Sequence, residues 1–428
     1  MGETLVKKEQ FFAKSGVVLT GILGVYGCIS AIDLFLSIFL AAKLFFVTDG
    51  NFGLVGLFYV VHFALLFVGY IISSYISKRY SRVWCIRSAV LIILVTLVLI
   101  VFLQDQIDTF YLLFGGLTGI AMGMMWGPVN MFVTQTFGGP RMSAVMTYQN
   151  SVSSVIKIIF PFTLGAIIEY ASFFLASVIA LSISICCIAF TFFLRDNKAL
   201  NKPLSMRKYY RLIKEKKFTK PVAVLGLTHF LSTQAIVCAP FLTNIMIAQV
   251  YGNNFSLGWM LSVFYAASIL VMISYKLLKP GRVKNSYFMG SCVLAFLFSL
   301  GLLFGVDKTT LIFFNIASIA LLMLTRIEVF ALSFNIMKLL GHEEYLSESN
   351  LLQEFFMMLG RCLAMGIVAL VYFIDISLLF SISAVVMMIM APIACALVFF
   401  WYRAYTFAAL QEPQPTHPPA ETVPQSQE

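Results

Sequence analysis

The sequence predicts an all-α integral membrane protein whose twelve helical spans form two similar six-helix bundles. Three observations carry this. Of 428 residues, 60% are apolar and 11% charged, against roughly 45–50% and about 25% in soluble domains; mean hydropathy is +0.93. The apolar residues come in long runs, and residues 171–194 and 377–400 contain no acidic or basic side chain. The two halves of the chain also carry matching short motifs. A bilayer core of about 30 Å takes about 20 apolar residues per helix, so twelve crossings need about 240. A β-barrel would instead alternate in segments of about ten residues.

Hydropathy and loop signals place spans 1–6 at 16–42, 52–77, 83–103, 110–137, 143–168 and 171–194. Spans 7–12 fall at 221–250, 257–278, 287–305, 310–336, 349–373 and 377–400. Lys7, Lys8 and Lys14 precede span 1, whose interior holds Asp33. Span 2 contains His62 and ends at Lys78 and Arg79; span 3 has Arg87 near its start. Span 4 carries Gly115, Gly119, Gly123 and Gly127 at a four-residue interval, a stripe of ~18 Å that lets another helix approach closely. Span 5 holds Lys157 and Pro161, span 7 holds His229 and Pro240, span 10 holds Arg326 and Glu328, and span 11 holds Glu354 and Arg361. Spans 6, 9 and 12 have no charge in their interiors. Pro128, Pro161, Pro240 and Pro392 break backbone hydrogen bonds within spans and are candidate hinges.

Orientation follows from the basic residues. The segment 195–220 alone holds ten Lys and Arg against two acids, and 24 of the 29 Lys and Arg fall on one side of the predicted membrane. Only Lys43 and Lys308 fall on the other. The positive-inside rule therefore puts both termini in the cytoplasm. Trp84, Trp401 and Trp259 suit interfacial anchoring. The net charge of +10 is explained by this placement and not by nucleic-acid binding. The short outer loops point to a bacterial inner membrane, and the Asn254–Ser256 sequon lies too near the membrane to matter. No cleavable signal is expected after Lys14, and Val6 stands where a myristoylation motif needs Ser or Thr. The domains expected are a first bundle at 1–194, a basic linker at 195–220, a second bundle at 221–404 and a disordered tail at 405–428. In the linker Met206, Tyr209, Tyr210 and Ile213 have helical spacing, which suits an amphipathic helix beneath the membrane. The eight cysteines lack metal-ligand spacing and read as small apolar residues in packed helices. No cofactor and no metal is expected.

The halves compare directly. The stretch 74–83 matches 274–283 at four of ten positions, with Arg79 facing Lys279, and an offset of 204 pairs Ser143 with Ser347, Gln149 with Gln353 and Lys157 with Arg361. Halves of six spans share an orientation, so the repeat is parallel, about an axis normal to the membrane. On these residues the chain resembles the major facilitator superfamily over its whole span-bearing region, 16–400. That family carries a Gly-x-x-x-Asp-Arg-x-Gly-Arg-Arg-like loop after its second span. Here the loop keeps Arg79 and Arg82, has Ser74 and Ser81 for the glycines and Lys78 for the acid; the second copy keeps Lys279, Gly281 and Arg282. The fifth-span antiporter motif keeps only Pro161 and Gly165. The resemblance implies a cavity lined by spans 1, 4, 7 and 10, an outer scaffold of spans 3, 6, 9 and 12, and a gating loop at Arg79, Arg82 and Arg282.

Charges at depth are the sharpest functional signal, since one at the bilayer centre costs at least ~2.5 kcal/mol. Lys157, Arg326 and Arg361 lie near their span midpoints. Arg326 and Glu328, two residues apart, point to opposite sides of one helix. Glu354 and Arg361, seven apart, share a face but are two turns distant, which predicts that each finds its partner on another span. The expected site is a hydrated chamber with surplus positive charge. Arg326, Arg361 and Lys157 are its candidate ligands for a carboxylate or phosphate, and Trp126, Tyr26, Gln234 and Asn335 are secondary lining residues. Asp33, Glu328 and Glu354 are candidate proton carriers. The competing reading of Lys157 and Arg361 is an interdomain salt bridge. His62 and His229 read as hydrogen-bonded packing residues.

No nucleotide-binding loop, catalytic triad or metal cluster is present in the sequence, so neither an enzyme nor a self-contained ATP-driven pump is expected. The first expectation is a monomeric secondary transporter that takes up a small anionic or zwitterionic metabolite by alternating access, in symport with protons, among membrane lipids and without nucleic acid. The alternatives are efflux of amphipathic compounds or drugs, and a non-transporting sensor or lipid translocase.

Overall fold

The computed structural model describes residues 2–136, 140–194, 203–278, 282–329, 333, 345–372 and 377–397, and among them the chain is helical with no strand. Eleven of the described helices are long and apolar enough to cross a membrane. Spans 1–6 are Gly16–Val47, Phe52–Arg79, Arg82–Phe102, Gln104–Val133, Tyr148–Tyr170 and Phe173–Thr191. Spans 7–11 are Thr219–Tyr251, Asn254–Leu277, Val283–Phe304, Lys308–Val329 and Leu346–Leu370, and the shorter Ser381–Ala396 takes the place of the twelfth. The ends are set by local chemistry. Asn51, Ser81, Ser172 and Asn253 each turn a side-chain oxygen onto an orphan amide at a span's first turn, and Gly252 closes span 7 in the left-handed region at φ 69°.

The helices pack as two pseudo-symmetric six-helix bundles. In the first half span 4 packs on spans 2 and 3, span 6 on spans 1 and 3, and span 5 on span 1; in the second, span 10 packs on 8 and 9, span 12 on 7 and 9, and span 11 on 7. Each pairing has its counterpart six spans later. The bundles meet chiefly through two further pairs, 5 with 8 and 2 with 11, which exchange under the same operation.

Small residues allow these approaches. A Cβ at Gly115, Gly119 or Gly123 would fall on the carbonyl oxygens of Phe58, His62 and Leu66 in span 2, and one at Gly127 would press on Tyr70 and Ser73. The four-residue glycine stripe thus lies along a four-residue ladder of the neighbouring helix. Between the bundles, Gly165 lies against the Asn254 carbonyl while Gly258 lies against that of Pro161, a reciprocal Cα–H···O crossing. The linker helix, Met206–Glu215, marks one face of the bundle; the Gly165–Gly258 crossing lies toward the other, the distal face.

Spans 1, 7 and 10 each contain a wide π turn, at Phe35–Phe39, Gln234–Cys238 and Ile316–Leu321. In span 7 the cause is Pro240, which lacks the amide needed four residues back and pushes on that carbonyl. In span 1 the widened turn presents the Ser37 carbonyl to Tyr59 Oη, which donates to it at 2.6 Å.

Candidate functional site

Two groups of charged and aromatic side chains lie within the bundle. The first is built by spans 1, 5, 8 and 10. Asp33 stands in the turn just before the span 1 π turn, and its carboxylate is within electrostatic reach of Lys157 of span 5 and Arg326 of span 10. Lys157 Nζ lies 5.8 Å from the ring centroid of Tyr265 in span 8. Tyr26, two turns before Asp33, meets Trp126 of span 4 edge to face, with centroids 5.5 Å apart, and also senses Arg326 and Asp33. Arg326 is exposed, and Asp33, Lys157, Tyr26, Trp126 and Tyr265 are half-buried. No contact ion pair joins Asp33 to Lys157 among the described residues. Charge left open within a span is not tolerated against hydrocarbon, so these groups face water between helices.

The second group is built by spans 2, 7 and 11, with Thr118 of span 4. Here the expectation for Arg361 and Glu354 is corrected: they pair directly, Arg361 Nη1 lying 3.3 Å from Glu354 Oε2. Seven residues span about 10.5 Å of helix, but side chains lean toward the helix N-terminus. The long guanidinium runs back past Met357, whose sulfur lies 3.6 Å from Nη2, and closes the gap. Its plane also lies 5.5 Å from the Phe63 ring centroid in span 2. Tyr70 of span 2 completes the group, close to both Glu354 and Arg361. Around it His62 Nδ1 meets Thr118 Oγ1 at 3.0 Å and His229 Nε2 meets Ser333 Oγ at 2.8 Å. Arg361, Glu354, Tyr70 and both histidines are buried, so this group is dry where the first is wet.

The remaining predicted residues lie elsewhere. Gln234 is buried in its π turn and donates to Phe230 O at 3.4 Å. Glu328 turns away from Arg326 and accepts from Tyr275, in a pocket of Cys292, Cys395 and Leu324. Arg79 is exposed and donates to Tyr75 Oη; Arg82 is buried. Arg282 begins the helix of span 9, its side chain lying outside the described part, and Asn335 lies outside the described residues. Tyr265 and Tyr70 were missed because a tyrosine in an apolar helix carries no sign of which face is wet. Among the described residues no three His, Cys, Asp or Glu side chains gather as a metal site would require.

Lys78, where the loop motif has an acid, is buried and gives Nζ to both oxygens of Glu348 at 2.6 and 2.7 Å. Glu348 begins span 11 and is fully buried. It also accepts the Ser205 amide, at the cap of the linker helix, at 3.0 Å. Lys78 lies 5.7 Å from the Tyr345 ring centroid, which packs near Tyr209 of the linker helix. Burial, with the Glu348 carboxylate nearby, pushes the Tyr209 phenol above its ordinary pKa. First bundle, linker and second bundle thus meet at one carboxylate.

A family model described as Major Facilitator Superfamily matches residues 19–365. No curated protein matches the sequence significantly. Among solved structures, the nucleoside transporter NupG is 13% identical, covers 92% of this chain and 100% of its own, and superposes with a TM-score of 0.64. The human organic anion transporter MFSD10 is 14% identical with coverages of 90% and 99% and a TM-score of 0.62. A bacterial homologue of the iron transporter ferroportin, in an inward-facing state, is 11% identical with coverages of 91% and 98% and a TM-score of 0.65. At these identities the likeness is one of fold.

Proposed function

Because this chain belongs to the Major Facilitator Superfamily, a family of transporters, we propose that it is a secondary transporter for a small metabolite bearing an anionic group. The observation that carries this reading is Arg326, exposed on span 10 and within electrostatic reach of Asp33 and Lys157, which lie near the middles of spans 1 and 5. A cation kept in a water-filled gap at that depth is suited to a carboxylate or phosphate. Span 10 belongs to one bundle and spans 1 and 5 to the other, so a ligand held there bridges both. Rocking of the bundles then exposes it to each face in turn.

The distribution of basic residues supports a cytoplasmic linker face, with both termini on that side of a bacterial inner membrane. Toward the distal face the bundles touch at Gly165–Gly258, at Gly56 against Ala369 and through the Glu169 carboxylate on the Asn254 amide, which favours a state closed to the outside. We assign proton coupling to Glu354. Its pair with Arg361 is dry and tied to span 2 through Tyr70 and Phe63, so protonation releases a contact between the bundles.

The test is binding and uptake by purified protein in proteoliposomes. Arg326→Gln is expected to abolish binding of any anion that wild type takes, with folded yield unchanged. Glu354→Gln is expected to bind but to lose accumulation driven by a pH gradient. Anion transport at the wild-type rate by Arg326→Gln would defeat the reading.

A further inference from the structure

Away from the Asp33–Lys157–Arg326 group, we propose that the second bundle holds one soft monovalent metal ion, Cu(I), on the sulfurs of Met289, Cys292 and Cys395.

The three donors come from spans 9 and 12, which pack on each other. Met289 and Cys292 are three residues apart and share one face of span 9. From span 12, Cys395 Sγ lies 3.1 Å from Met289 Sδ, and the Cys292 sulfur is its other close neighbour. Cys395 stands 106 residues beyond Met289, so no spacing in the sequence announces the set. Both cysteines are free thiols and fully buried, while Met289 is half-buried and forms the approachable side. Metal–sulfur bonds of about 2.3 Å put the sulfurs of a trigonal site roughly 4 Å apart. An entering ion therefore spreads Met289 from Cys395 by about an ångström, which an unbranched thioether gives readily.

The surroundings suit a thiolate. Thr325 Oγ1 of span 10 lies 3.0 Å from Cys292 Sγ, placed to donate to that sulfur once its proton has gone, as outer partners of metal ligands do. Tyr275, Phe288 and Leu324 pack around the two cysteines and keep water away. The Glu328 carboxylate is engaged by Tyr275.

The donor set chooses the ion. Thiolate and thioether sulfurs select Cu(I), whereas carboxylates, carbonyls and water suit harder ions. A structural Zn2+ takes four ligands, and among the described residues no third His, Cys, Asp or Glu joins the two cysteines. Binding is an exchange of ions without electron transfer: copper–sulfur bonds form, thiol S–H bonds break and the protons pass to water, so retention weakens in acid. Spans 9, 10 and 12 belong to one bundle, so the cluster is not parted when the bundles rock. The ion is a resident clamp between spans 9 and 12, and not the transported solute.

The experiment loads the full-length chain, purified in detergent under a phosphine reductant, with Cu(I) and challenges it with the chelator bicinchoninate. One copper per chain is expected to be retained, with a raised melting temperature and an X-ray absorption spectrum of three sulfurs and no nitrogen. Cys292→Ser and Cys395→Ser are each expected to abolish retention, and Met289→Leu to weaken it at least tenfold at unchanged folded yield. Serine at both Cys28 and Cys187, the other close thiol pair, is expected to leave retention as in wild type. Zn2+ is expected to bind at least a hundredfold more weakly. No retention by folded wild type, retention unmoved by Met289→Leu, a two-sulfur or nitrogen-containing shell, or equal affinity for Zn2+ would overturn the inference. Since Met289→Leu changes no thiol, it decides the matter even where a serine variant fails to fold. None of these outcomes bears on Arg326 or on the anion-site reading.

Discussion

Removing Lys78 isolates the Glu348 carboxylate in a place with no solvent. Wild-type Glu348 is fully buried, with the Lys78 ammonium at 2.6 and 2.7 Å and the Ser205 amide at 3.0 Å. In Lys78→Met only the amide remains. Stripping one partner from a buried pair costs about 3–5 kcal/mol, whereas replacing both partners by apolar groups is often neutral or stabilising. The pair joins span 2 to span 11 across the bundle boundary, so a state in which the bundles part at this face hydrates the carboxylate and escapes the cost. The ratio of closed to open states should therefore fall by roughly two to three and a half powers of ten, about 1.4 kcal/mol being tenfold. A reporter lies close by: Ser347 Oγ is 3.1 Å from Met131 Sδ of span 4, at a junction that opens with the latch. In a background with the eight native cysteines replaced, Ser347→Cys should react with a membrane-impermeant maleimide at least a hundredfold faster once Lys78→Met is added. Adding Glu348→Leu as well should return the rate toward wild type. Unchanged labelling in folded Lys78→Met protein, or a double variant as open as the single one, would refute the reasoning.

Three further outcomes follow from the same geometry. Arg361→Met strands the Glu354 carboxylate and should cost about 3–5 kcal/mol, visible as a large fall in detergent melting temperature that Arg361→Met/Glu354→Met recovers. At Gly119 an added Cβ meets the backbone carbonyl of His62, while at Gly290 it meets nothing within 4 Å. Gly119→Ala should thus cost about 1–3 kcal/mol or more by overpacking and Gly290→Ala stay within about 0.5 kcal/mol, read as folded yield by size exclusion. Asp307 caps span 10 through the Thr310 amide and hydroxyl, which hold its carboxyl below the usual range. That contribution is complete above the unfolded value of about 3.9 and disappears as pH falls through the lowered folded value, so the melting-temperature gap between wild type and Asp307→Ala should close in acid.

The fold was legible because membrane insertion leaves few choices: long apolar runs have to be helices, and a repeat such as 74–83 with 274–283 fixes how six-span halves relate. The glycine interval in span 4 was equally readable, since only close backbone contact rewards such spacing. The site was legible in part. Depth alone brought Asp33, Lys157, Arg326, Tyr26 and Trp126 into consideration, and they stand together. Gln234 and Glu328 were drawn in by the same criterion and face elsewhere: Gln234 sits in a π turn and Glu328 follows one, which shifts the phase of every later side chain, and no pattern in the residues announces either. The Arg361–Glu354 bond was missed by measuring the helix rise between backbones and not the reach of a side chain that leans back along it. Lys78 looked like a damaged motif; its complement, Glu348, lies 270 residues on, where no local reading connects them.

Symmetry explains why the two charged groups differ. Spans 1, 5, 8 and 10 become spans 7, 11, 2 and 4 when the halves are exchanged, so the wet group and the dry group are counterparts built by duplication at equivalent places. The offset that pairs Lys157 with Arg361 also pairs Asn150 with Glu354. Arg361 therefore has an acid two turns toward the N-terminus of its own helix and folds back onto it, while Lys157 has only an amide there and reaches across to the region of Asp33. The same exchange sets Ala144 opposite Glu348 and Leu278 opposite Lys78, so the latch at the linker face exists on the 2–11 side and has no charged counterpart on the 5–8 side. One seam carries both the dry pair and the latch. The other includes the Lys157–Tyr265 contact and the Gly165–Gly258 crossing, and among the described residues it shows no charged clasp at the linker face. A duplicated scaffold with charge complementarity along only one of its two seams is expected to open along the other, and that is the seam beside which Lys157 and Arg326 are held.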